Sequence, residues 1–147
     1  MGRGTGRPPE RPEWALADLR ALLIIVDLGL EMQADADAVL HACAAPGEPA
    51  SVLARAGGRV AGEYHRLWAW SLDYAPHADP DSLERRVSAL LRYHYELLHV
   101  ALRIAFPKYR RTDRLERQRR AVTGLGAPAA ELRSVRDELD MWIHAAS

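Results

Sequence analysis

The stretch from Asp79 to Pro107 reads DPDSLERRVSALLRYHYELLHVALRIAFP, and its pattern decides the fold class. Leu83, Val87, Leu90, Leu91, His94, Leu97, Leu98, Ala101 and Ala105 recur at intervals of three and four, which gathers them on one face of a helix. Asp79 supplies an N-cap, Pro80 a first helical position that needs no amide donor, and Asp81 a carboxylate at the positive end of the dipole. Pro107 closes the segment, because its ring has no amide hydrogen and clashes with the preceding turn. The spacing predicts a helix from about Pro80 to Phe106 with a wide apolar stripe.

The same spacing recurs on either side. A helix is expected after Pro12, carrying Trp14, Leu16, Leu19, Leu22, Leu23, Val26 and Leu30, with Gly29 weakening its end. Residues 35–45 either continue it or form a short helix of their own, closed by the Ala-Pro-Gly turn at 45–47. A further helix is expected from Pro49 or Ser51 to about Tyr74, ended by Pro76. Gly57, Gly58 and Gly62 each cost it about 1 kcal/mol relative to alanine, or else let another helix approach closely. Residues 108–122 have helical propensity but only Leu115 and Val122 as large apolar residues, the mark of a surface helix or an ordered connection. After the break at 124–128, Pro128 starts a last helix bearing Leu132, Val135, Leu139, Trp142 and Ile143.

No internal repeat and no strand-like alternation interrupts this pattern. The fold class is therefore all-α: a four- to five-helix bundle, mainly up-and-down, with a basic helical crossover before the last helix. Residues 1–12 read as a flexible basic tail and 13–147 as one domain. The apolar run Ala21–Leu30 is interrupted by Asp27, which argues against a membrane span, and the tail has no apolar signal region. Cys43 is the lone cysteine, so an internal disulfide and multi-cysteine metal sites are excluded, and a reducing, cytoplasmic setting is expected.

Net charge is zero, with 20 basic and 20 acidic residues, but the signs are segregated. Between Arg103 and Arg120 eight basic residues face only Asp113 and Glu116, a local balance of +6. Lys108, Arg110, Arg111, Arg114 and Arg117 are the candidates for holding a nucleic-acid backbone or an acidic partner, and Tyr109 can stack beside them. Arg110, Arg114 and Arg117 are expected on one helical face. Asp113 with Arg117, and Glu116 with Arg120, are spaced as acid-before-base pairs that support a solvated helix.

Arg92, Glu96, His99 and Arg103 form a polar row beside the core stripe, with Glu96 placed to pair with Arg92 or Arg103. A guanidinium can hold a phosphate there while an imidazole moves a proton at an RNA 2′-hydroxyl. The Arg92-to-His99 spacing resembles the signature of HEPN-domain ribonucleases, small helical domains that usually dimerise, although Tyr93 stands where that family tends to carry a polar residue. The resemblance implies a metal-independent ribonuclease with Arg92 as phosphate anchor, His99 as general base and Glu96 as orienting residue. A salt-bridged surface row is the simpler reading of the same residues.

Glu96 and His99 also match the Glu-x-x-His step of di-iron bundles, with Asp27 and Glu31 as further carboxylates, but a second such step is missing and no metal or cofactor is assigned. Asp27, placed toward the interior, needs His65, His94 or an arginine as partner. His41 is read as a surface pair with Asp37. Trp68 and Trp70 point in different directions on a helix, so one is expected at a protein interface, while Trp14 and Trp142 pack the terminal helices. Without a complete catalytic set, the chain reads as a non-enzymatic interaction protein or small subunit, a homo-oligomer or part of a complex. It presents a helix face and a basic segment to a protein partner, with nucleic-acid binding and HEPN-like cleavage as the alternatives.

Overall fold

The computed structural model describes residues 13–74 and 82–147, with side chains from residue 16 onward. Six helices occupy them: α1 (Glu13–Glu31), α2 (Gln33–Ala44), α3 (Ser51–Leu72), α4 (Leu83–Ala105), α5 (Asp113–Arg120) and α6 (Ala127–Ala146). The basic tail, Pro76 and the Asp79-Pro80-Asp81 cap lie outside the described residues. The cap of α4 is instead Ser82, whose hydroxyl accepts the Arg85 amide at 3.2 Å, so the helix begins three residues later than the proline suggested.

The antiparallel pair α3–α4 is the spine. Ser71 meets Ser88 at 2.9 Å near one end. Towards the other, Gly57 lies against Leu102: a Cβ on Gly57 would stand 2.5 Å from Leu102 Cδ2, so this glycine permits the close approach that the sequence allowed for. Gly58 and Gly62 have open space beside them and play no such part. α1 and α6 pack on the half of the spine around Leu91, and α2 and α5 on the half around Leu102. Asp27–Arg136 joins α1 to α6, and Arg86 grips the Glu138 carboxylate through two bonds of 3.0 and 2.9 Å, joining α4 to α6. These pairings run α1, α3, α4 and α6 up and down in turn.

Of the two alternatives for residues 35–45 the separate helix holds, running Gln33–Ala44 after a turn at Met32. The break is filled by polar groups. Tyr64 donates to the Gly29 carbonyl at 2.7 Å, and the missing side chain of Gly29 makes room for Leu91, Leu132 and the Tyr64 ring. Gln33 donates to the Ala129 carbonyl at 3.1 Å and to His94 Nε2 at 3.3 Å, while its own oxygen accepts from Arg133 at 3.0 Å. His94 Nδ1 lies 2.7 Å from the Leu90 carbonyl, which fixes the proton on Nδ1 and leaves Nε2 free to accept. Burial lowers the His94 pKa below the usual 6.5, keeping the ring neutral. Around this centre Leu22, Ile25, Leu40, Leu91, Leu98, Leu132 and Leu139 are fully buried.

Candidate functional site

The basic segment divides into two sets of residues with different surroundings. Arg119 is enclosed, its side chain 1% exposed, and its guanidinium donates to the carbonyls of Cys43, Ala45 and Gly47 at 2.8, 2.7 and 3.1 Å. It thereby caps the C-terminal end of α2, where carbonyls lack helical partners and the dipole favours a cation. Arg111 does the same for α4, donating to the Ala105 carbonyl at 2.8 Å. Glu116 lies between the two arginines and accepts from both. The hydrogen bond from Arg119 is the first cause that holds the Glu116 carboxyl down at about 2, against an ordinary 4.5.

This corrects three expectations. Glu116 pairs with Arg119 and Arg111 rather than Arg120. Arg111 belongs to the fold rather than to a free binding set. Arg110 precedes the Thr112 cap and so does not share a helical face with Arg114 and Arg117. Sequence reasoning missed Arg119 although a signal was present: it falls between Leu115 and Val122 at spacings of four and three, on the inward stripe of α5.

Arg103, Lys108, Arg110, Arg114 and Arg117 are exposed and make no ion pair or hydrogen bond with another described residue. Arg103 and Lys108, together with His99, Phe106, Tyr109 and Leu115, surround a half-open cavity of about 420 Å³. Tyr109 is 85% exposed. The cavity forms where the chain leaves α4 after Ala105 and turns through Pro107 towards α5, so two cations and three rings line one hollow.

A row of rings leads to this cavity along the α3–α4 spine. His99 stacks on Tyr95 with ring centroids 5.5 Å apart, Tyr95 on Trp68 at 6.2 Å, and His65 meets both Trp68 and Tyr95 edge-on. At the far end Arg92 lies over the Trp68 ring at 5.4 Å and donates to Glu96 at 2.9 Å. The polar row Arg92, Glu96, His99 and Arg103 is therefore solvent-facing, and Glu96 selects Arg92 rather than Arg103. Trp68 is half-buried within the ring row, whereas Trp70 is exposed on another side of α3, so the two tryptophans do not share a patch. The roles of Tyr95, His65 and Phe106 were hidden in the sequence because they depend on how α3 faces α4 and where the chain turns after Phe106.

Asp27 is not interior: its side chain is 43% exposed and bonds Arg136 at 3.0 Å, with neither histidine involved. His41 bonds the Asp37 backbone carbonyl at 2.8 Å, and the Asp37 carboxylate instead accepts the Leu125 amide. Cys43 is fully buried, and burial pushes its thiol pKa up. Among the described residues no three His, Cys, Asp or Glu side chains converge, and no helix is long and apolar enough to cross a membrane. A second cavity of about 410 Å³, between the end of α2 and the start of α3, is lined mainly by alanines, prolines, Val52 and Leu53 and offers no chemistry comparable to the first. Comparisons with protein-family models, curated proteins and solved structures gave no match.

Proposed function

We propose that the chain is a non-enzymatic interaction protein that receives an anionic partner on the face built by α3, α4 and the segment leading into α5. The observation that carries this reading is the meeting of the ring row with unpaired cations at the cavity bordered by His99, Arg103, Lys108 and Tyr109. Cations left without intramolecular partners attract a polyanion and release its counterions, and exposed rings add contact area that salt does not screen. Arg111 and Arg119 are excluded from this set, since their donors already satisfy helix-end carbonyls and Glu116.

The test is anisotropy of labelled polyanions, namely a single-stranded oligonucleotide, polyphosphate and poly-glutamate, at about 50 and about 200 mM salt. Binding of at least one that weakens steeply with salt, and roughly tenfold weaker binding by the combined variant R110Q/R114Q/R117Q, supports the reading. No binding of any of the three at low salt overturns it. Ile24 and Leu28, one turn apart and exposed on α1, leave surface for a second copy or a larger assembly, which equilibrium sedimentation measures.

A HEPN-like ribonuclease is the second reading, and the exposure of Arg92, Glu96 and His99 along one face of α4 is the observation in its favour. Against it, the Arg92 charge is already met by Glu96 and the Trp68 ring, and His99 makes no hydrogen bond or ion pair with a carboxylate among the described residues. RNA cleavage abolished by Arg92→Ala or His99→Ala supports it, and RNA left intact by the wild-type protein removes it.

A further inference from the structure

We infer that the cavity between His99 and Tyr109 takes one nucleotide unit of a single-stranded nucleic acid, its base against the rings and its phosphate on Arg103 and Lys108. This rests on the anionic-partner reading and names the partner's class. The cavity combines two features that an acidic protein does not use together. Its lining includes three rings, His99, Phe106 and Tyr109, with the apolar Leu115, which suits a flat, weakly hydrated group. The same lining includes two unpaired cations, Arg103 and Lys108, which suits an anion attached to that flat group. An aspartate- or glutamate-rich peptide satisfies the cations but leaves the rings uncovered. A membrane surface brings phosphates in a plane, whereas this hollow is concave and half-enclosed. A nucleotide supplies the ring and the anion on one framework.

The strand must be single because a duplex keeps its base faces stacked on one another, out of reach of a protein ring. His99 also carries the surface onward: it stacks on Tyr95, which stacks on Trp68, so neighbouring bases meet ring edges along α3 and α4. In the other direction Arg110, Arg114 and Arg117 follow Lys108 and Tyr109 in the chain as exposed cations for adjoining phosphates. The 2′-hydroxyl decides between RNA and DNA, and the experiment separates them.

The experiment measures binding of the full chain to a labelled oligo-U strand of about ten nucleotides, with oligo-dT, a duplex, polyphosphate, poly-glutamate and anionic phospholipid vesicles as competitors. The single strands are expected to compete best, the duplex weakly, and the ringless polyanions least for equal charge. Tyr109→Ala is expected to weaken strand binding roughly 5- to 100-fold while leaving polyphosphate binding unchanged, because one base–ring contact is lost. At 85% exposure this substitution leaves the fold intact, which circular dichroism checks. Arg103→Gln with Lys108→Gln is expected to weaken both strand and polyphosphate. If polyphosphate, poly-glutamate or vesicles compete as well as the strand, or if Tyr109→Ala binds the strand like wild type, the inference is overturned while the anionic-partner reading stands. If no anion binds, both fall.

Discussion

Arg119 and Glu116, three residues apart on α5, form a pair whose real object is another helix. The guanidinium is buried against the carbonyls of Cys43, Ala45 and Gly47 while the carboxylate keeps it in place, and the same carboxylate also reaches Arg111 at the end of α4. A segment that looks like a solvated charge run is thus a clasp across the ends of two helices. Arg119→Met should strip the donor from these carbonyls and lower stability by about 3 kcal/mol, or about 10 °C in Tm. Arg117→Ala, two residues away and exposed, should change stability by less than about 0.5 kcal/mol. Thermal unfolding followed by circular dichroism reads both.

Two pH windows follow from the shifted groups. Burial lowers the His94 pKa, so the unfolded chain binds the proton more readily, and stability is full above about 6.5 and declines as pH falls below it. Glu116 is held near 2, so its contribution is full above 4.5 and is lost as pH falls from 4.5 towards 2. Denaturant unfolding across this range should show two separate declines. Glu116→Gln should remove the lower one and leave the upper one in place.

Adjacent glycines on α3 should respond in opposite directions to the same substitution. Gly58→Ala adds a methyl to open space and should stabilise by about 0.5–1 kcal/mol through helix propensity alone. Gly57→Ala sets that methyl against both Leu102 methyls and Val39, so both side chains must shift to admit it. The overpacking should outweigh the propensity gain and destabilise by about 1 kcal/mol net. Chemical denaturation of the two variants compares them directly.

Much of the architecture was legible because it depends on periodicity. The stripe on α4 was correct except that Leu97 is half-buried, and the up-and-down order followed from short connections. What escaped was set by contacts between helices. The break at Met32 and the Tyr64 bond to the Gly29 carbonyl depend on which neighbour is near, which spacing along one chain does not encode, whereas the Ser82 cap is local and was passed over for Asp79. In the candidate site, Arg92, Glu96 and His99 were found by their shared helical face. Their joining to Lys108 and Tyr109 depends on the turn after Phe106, and the ring row on α3 facing α4.

Arg92→Ala should leave stability nearly unchanged, within about 0.5 kcal/mol, because both Arg92 and Glu96 are more than half exposed and such pairs contribute little. Matching unfolding curves for this variant and wild type check it, and make any change in partner binding attributable to the face itself.

The most direct test of the central claim is amide chemical-shift mapping while a single-stranded oligonucleotide is titrated into labelled protein at low salt. Shifts are expected to concentrate at His99, Arg103, Lys108, Tyr109 and the ring row of Trp68 and Tyr95, with α1 and α6 unaffected. Shifts centred on α1 and α6, or none at saturating oligonucleotide, would contradict it.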